Sequence, residues 1–188
     1  PFGGQFDAGQ GTSVALNLGA QGAGIQPIWQ SAFTDFLKAE AVLTLSIAGD
    51  AKVFLESGIR KSIAKVTGYP ATVGVTPSST YVPSQARIDT TVARTLRLYD
   101  AAPTTDAKLN IVMKEYYKAL WGNGVDSYNN YRRTGKPDNL QLPVVGNPGA
   151  FISSMYYPSV HVNRNQTASQ KSGVNVKVFW DTYPGTLK

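Results

Sequence analysis

The chain has no cysteine and a single histidine, and only 16% of its 188 residues are charged. Without thiols there are no disulfides, no zinc–thiolate centres and no cysteine nucleophile, and the cellular compartment stays open. The lone histidine, His161, has no Asp or Glu within seventeen residues on either side to orient it, so it reads as a surface or interface side chain rather than a catalytic base. No apolar run approaches the ~20 residues needed to cross a bilayer. The opening Pro1-Phe2-Gly3-Gly4 shows neither an initiator Met nor a leader pattern, and reads as the cut end of something longer. Catalytic motifs are also wanting. No carboxylate pair, nucleophile–base pair, spaced calcium-loop ladder or phosphate loop can be picked out, and no cofactor or metal is implied.

What is present is apolar residues at 42% and a net charge of +6. That composition specifies an ordinary folded chain with a real core. The cations are scattered (Arg60-Lys61, Arg94, Arg97, Lys108, Arg132-Arg133, Lys171, Lys177) and draw no continuous stripe along a helix. They predict a solvated basic surface and no nucleic-acid partner.

Apolar spacing divides the chain into a Gly-rich loop over 1–26, a helical part over 27–135 and a loop-rich part over 136–188. Phe33, Leu37, Ala41 and Leu45 recur every four residues, with Ser31 or Thr34 as N-cap and Gly49 as the residue past the C-cap. Asp50 caps a second helix, with Leu55, Ile59, Ile63 and Val66 inward, Gly58 allowing close approach, and Gly68 and Pro70 as its stop. Two helices joined so tightly fold back as an antiparallel hairpin that needs neighbours to bury its face. Residues 70–84 read as loop. Ser84 caps a third helix (Ile88, Val92, Leu96, Tyr99 inward), and Thr104 or Thr105 a fourth (Leu109, Val112, Met113, Tyr116, Leu120 inward). A short helix opens at Asp126 and stops at Gly135-Lys136-Pro137, and another is expected over 159–163. Val174–Trp180 alternates as a strand does.

Two segments stand out: Tyr128–Pro137, YNNYRRTGKP, and Tyr156–Asn165, YYPSVHVNRN. With Gly124 upstream, Tyr131, Arg132, Arg133, Thr134, Gly135 and Pro137, then Tyr157, Pro158 and Asn165, resemble the C-terminal signature of the SusD/RagB family. His161 stands where that family usually has glutamate. Leu37–Lys65, with AEA on one helix and an aromatic followed by Gly58-Ile59 on the next, is similar to the family's helical hairpin.

The resemblance implies a mostly α fold of tetratricopeptide-like helical hairpins with a loop-rich C-terminal segment, the chain being the C-terminal portion of a SusD-like lipoprotein. It further implies a non-enzymatic function: surface binding of an oligosaccharide or other nutrient, delivered to a SusC-like TonB-dependent transporter. The full-length protein would be exposed at the outer membrane and held by a lipid anchor outside this segment. The alternative is a helical-repeat scaffold that binds another protein.

By the resemblance the signature residues Arg132, Arg133, Gly135, Pro137, Tyr157, Pro158 and Asn165 are structural, the arginines pinning the C-terminal segment to the helical layer. The residues themselves point the same way. A guanidinium at a helix end answers exposed carbonyls, and its five donors suit the backbone acceptors of the loop between Asp138 and Pro158. Sugar faces stack on Trp and Tyr. Trp121 and Trp180 fall on apolar patterns and read as core, whereas Trp29, beside the Gly-rich loop and off the main apolar face, is the candidate ligand contact.

Overall fold

The computed structural model describes residues 27–72, 74, 82–141, 144, 149–185 and 187. The Gly-rich segment 1–26 and most of the expected loop at 70–84 lie outside the described residues. Six helices form: α1 Ser31–Thr44, α2 Ala51–Thr72, α3 Gln85–Ala101, α4 Thr105–Ala119, α5 Gly124–Thr134 and α6 Ser159–Arg164. Among the described residues there is no strand, and no helix is long and apolar enough to cross a membrane. The chain divides into two compact units, residues 1–124 and 125–188.

In the first unit α1 and α2 form the expected hairpin. Phe36 lies against Gly58, Asp35 bonds Ser57 and Lys61, and Val42 and Phe54 both flank Gly49. These pairs run in opposite directions along the two helices, so the helices are antiparallel. Exposed ion pairs tie α2 to α3, Lys52 to Asp100 and Arg60 to Asp89, each at 2.7 Å. Both contribute little individually. Helix α4 returns to α1, where Tyr116 packs on Phe33 (ring centroids 5.6 Å) and stacks on Phe36 (5.3 Å, 16° between planes). The result is an all-α, tetratricopeptide-like layer of two hairpins.

Caps account for most helix starts. Asp50 Oδ1 accepts from the Lys52 N–H at 2.8 Å, Ser84 Oγ from Arg87 at 3.3 Å, and Thr104 Oγ1 from Ala107 at 3.1 Å. Each side chain thereby satisfies a donor that the helix cannot. The start of α1 differs from expectation: Gln30 is the N-cap and makes no side-chain cap bond. Its end differs too. The helix closes at Leu45, Ser46 takes the positive φ of 53°, and Gly49 follows three residues later at φ 149°. A Cβ at Gly49 would lie 3.1 Å from both Phe54 and Val42, so the glycine belongs to the packed corner rather than to the helix cap.

The buried face of α1 comprises Ala32, Phe33, Asp35, Phe36, Ala39 and Glu40; Leu37 and Ala41 lie partly buried at its border, and Leu45 is exposed. A strict four-residue step overshoots the helical repeat by ~40° each turn, so the row from Phe33 to Leu45 walks off the core. Val66 is also exposed. The antiparallel register runs out near Ile63 because α1 begins at Ser31, leaving Val66 no α1 residue opposite. Nor do Gly68 and Pro70 end α2, which continues to Thr72 with Pro70 buried. Proline there forfeits one hydrogen bond, and with only two residues to follow the loss does not propagate. The expected strand at Val174–Trp180 is absent. Val176 N–H bonds Gly173 O, Asp181 N–H bonds Val178 O, and Val174 O accepts from Ser153 and Ser154, a local turn pattern without a partner ladder.

Phe36 is fully buried between the Gly58 backbone and the Tyr116 ring. A Cβ at Gly58 would meet three Phe36 ring atoms at 3.0–3.1 Å. The ring cannot retreat without displacing Tyr116. Gly58→Ala gains up to ~1 kcal/mol of helix propensity but overpacks by ~1–3 kcal/mol, so a net loss of stability is expected in urea melts.

Asp35, its side chain 7% exposed, accepts from Lys61 Nζ and Ser57 Oγ, both at 2.6 Å. Burial pushes this carboxyl up, but the bonds from Lys61 and Ser57, helped by the Lys61 and Lys38 charges, outweigh it and hold the pKa below its ordinary value. A depressed folded-state pKa stabilises above the unfolded value near 3.9, and that stability is lost as pH falls through the folded value. Asp35→Asn is therefore expected to destabilise by about 1–3 kcal/mol at neutral pH, with the gap from wild type narrowing in melts taken progressively below about pH 4.

Candidate functional site

Two surfaces, one in each unit, gather the residues singled out by sequence. In the first unit, the buried Asn123 donates from Nδ2 to the Pro27 carbonyl at 2.9 Å. Gly122, at φ 90°, turns the chain beside the Pro27 ring, 3.6 Å from where a Cβ would stand. These contacts hold the segment entering α1 against the turn leaving α4. Trp29 and Trp121 consequently sit at the same end of the helical layer. Trp29 is 58% exposed, its indole N–H donating to Thr34 Oγ1 at 3.1 Å and its ring edge-on to Phe33. Trp121 is 91% exposed, which corrects the expectation of a core residue. It follows the last helical turn of α4, one position beyond the buried Leu120, so the apolar row ends just before it. With the neighbouring Ile28 also exposed, this end presents broad apolar faces to solvent.

In the second unit the signature residues surround α5. Tyr128 and Tyr131 clamp Phe151, the first stacked at 5.5 Å and the second edge-on at 5.3 Å. Tyr128 also donates its hydroxyl to the Ile152 carbonyl. Arg132 and Arg133 occupy the last turn of α5, where the helix carbonyls favour cations. Arg132 Nε donates to Asp181 Oδ2 at 3.0 Å, in a pair whose side chains are 20% and 4% exposed. The carboxylate thus comes from the C-terminal turn and not from the described part of the loop between Asp138 and Pro158. Arg133 Nη2 bonds Asn130 Oδ1 on its own helix.

Gly135 takes φ 66°, and a Cβ there would overlap the Tyr183 hydroxyl. Pro137, after a cis peptide bond, is buried. The Tyr157 backbone is clasped by the Gln170 amide, N–H to Oε1 and Nε2 to carbonyl, each 2.9 Å. The carbonyl of Pro158, N-cap of α6, accepts from His161 and Val162, and Asn165 Oδ1 accepts from the Thr167 N–H and hydroxyl. Both residues define where the chain turns. His161 is exposed beside Tyr157, ring centroids 5.9 Å apart. Trp180 is 64% exposed, edge-on to an exposed Phe179, and is not core. Among the described residues no cluster of His, Asp and Glu could hold a metal ion.

A family model for SusD-like proteins, described as Susd and RagB outer membrane lipoprotein, matches residues 21–179. The chain belongs to the SusD-like family. Solved SusD-like structures agree in fold. A protein described as Bacteroidetes AC2a SusD-like superposes with a TM-score of 0.50 at 25% identity, over 63% of this chain and 21% of that one. A chitin-binding protein superposes with a TM-score of 0.51, also at 25% identity, over 73% of this chain and 28% of that one. The SusD-like chain described here spans about a fifth to a quarter of the length of these relatives. No curated protein matches it.

The family resemblance read from Tyr128–Pro137 and Tyr156–Asn165 therefore holds, with His161 in place of the usual glutamate. Sequence reading missed Asp181, Tyr183, Gln170 and Asn123. The first two were hidden by the apparent strand, and Asn123, flanked by Gly122 and Gly124, read only as a stop. Gly135→Ala is expected to destabilise this SusD-like chain by about 1–3 kcal/mol, from the positive φ and the loss of room for Tyr183. Denaturant melts of the variant and of Gly149→Ala, where φ is 78° but nothing lies within 4 Å of a Cβ, separate the two contributions.

Proposed function

We propose that the chain serves a glycan-binding, non-enzymatic protein of the outer cell surface, and that the Trp29–Trp121 end of its helical layer contributes a sugar-stacking surface. The family match carries this reading, since a SusD-like relative of the same fold is described as chitin-binding. Two indole faces held in place at one end, with no catalytic constellation beside them among the described residues, suit capture of a sugar better than its cleavage. The apolar C–H face of a pyranose ring packs on an indole while its hydroxyls remain in water.

By the same family reasoning, the full-length protein is lipid-anchored at the outer membrane and hands its ligand to a SusC-like TonB-dependent transporter. Trp29, read from the sequence as the ligand contact, keeps that role here and gains Trp121 as a companion. The signature residues Arg132, Arg133, Gly135, Pro137, Tyr157, Pro158 and Asn165 remain structural in this proposal.

A glycan array on the full-length protein, followed by tryptophan-fluorescence titration of the hits, tests the proposal. Trp121→Ala is expected to weaken binding by roughly tenfold and Trp29→Ala by somewhat less, each stacking contact being worth about 0.5–1.5 kcal/mol beyond its buried area. Both variants should melt close to wild type because both rings are largely exposed. A protein that binds no sugar on the array would instead favour the helical-repeat scaffold.

A further inference from the structure

The second unit contains a pocket of about 500 Å³ whose lining includes Tyr128, Arg132, Ser153, Ser154, Met155 and Lys171. That volume is within the range of small-molecule sites, about 300–1,000 Å³. Its walls carry two cations. Arg132 is fixed by its Nε bond to Asp181, yet its Nη2 is buried with no hydrogen-bond partner. A guanidinium N–H deprived of both water and acceptor is costly to leave unpaired. Lys171 packs its ammonium over the Tyr157 ring, 4.8 Å from the centroid, and forms no ion pair among the described residues. Asp181 is already committed to the Nε edge, so its negative charge does not serve the other side of the guanidinium.

The remaining lining is not that of a simple anion site. Ser154 donates its hydroxyl hydrogen to the Val176 carbonyl, which leaves the Ser154 oxygen as an acceptor facing any ligand. An acceptor disfavours a bare anion and suits a hydroxyl donor. Tyr128 and Met155 add apolar surface. A ligand matching all of these features has a carboxylate for Arg132 and Lys171, a hydroxyl for Ser154 and an apolar ring face.

We propose that the pocket beside Arg132 binds the carboxylate of an acidic sugar of the uronic acid class. The inference is independent of the Trp29–Trp121 surface, which lies in the other unit and makes no use of charge. Either can fail while the other stands.

The test titrates the 188-residue chain with galacturonate, with galactose as the neutral counterpart and acetate as the sugarless carboxylate, following backbone amide NMR signals. Galacturonate is expected to shift the amides of Ser153, Ser154 and Lys171 saturably and more weakly as salt rises, while galactose leaves them unmoved and acetate binds less tightly. Lys171→Gln should weaken galacturonate about tenfold with an unchanged melt. Arg132→Gln should abolish binding, and because it also breaks the Asp181 pair, Lys171→Gln carries the test if that variant is unfolded.

Absence of saturable shifts, equal response to galactose, acetate binding as tight as galacturonate, or an unaffected Lys171→Gln would each overturn the proposal. So would loss of galacturonate binding in a full-length protein whose 188-residue segment binds it alone. The Arg132 partner would then be a carboxylate of the polypeptide itself.

Discussion

Everything in the helical layer depends on how closely α1 can approach α2 and α4 at one ring. Phe36 fills the space between the Gly58 backbone and the Tyr116 ring with no exposed surface. Glycine is disfavoured within a helix, yet at this position any side chain would push the ring into its other neighbour. The contact therefore sets the spacing of three helices at once. Antiparallel pairing of α1 with α2, the Asp35–Lys61 bond beside it and the return of α4 onto Phe33 all follow from that spacing.

Much of this was legible in the chain. Ser84, Thr104 and Asp50 announce helix starts because a short polar side chain before an apolar period has one obvious use. The rows through Val92 and Tyr99, and through Val112, Met113 and Tyr116, are buried as their periods require. Gly58 was recognised as a point of close approach, although nothing in its neighbours revealed that Phe36 was the ring that needed it. The row from Phe33 to Leu45 misled because a four-residue step is not the helical repeat. Val66 misled for another reason: its phase is right but its helix outruns its partner.

The C-terminal unit was less readable for a physical reason. Its order comes from side-chain-to-backbone clasps and one ion pair, Gln170 on Tyr157 and Arg132 on Asp181, each joining residues far apart in sequence without any period. Alternation of valines from Val174 to Val178 mimicked a strand, although alternation specifies only which side chains share a face. A ladder needs a second strand, and the acceptor at Val174 is used by Ser153 and Ser154 instead. The signature tripeptide Arg132-Arg133-Thr134 was visible from sequence; that the Arg132 guanidinium divides its edges between a buried carboxylate and a pocket was not.

The single bond from Asn123 to the Pro27 carbonyl joins residues 96 apart. It closes the longest loop that any bond in the first unit spans, so by chain entropy it belongs to the late events of folding, after both hairpins have assembled. Trp29 and Trp121 flank that clasp, and neither is placed until it forms. An incompletely folded chain thus lacks the arrangement that would retain a sugar. A ligand that bridges the two indoles would in turn hold the clasp shut, so occupancy and the integrity of the whole layer rise and fall together.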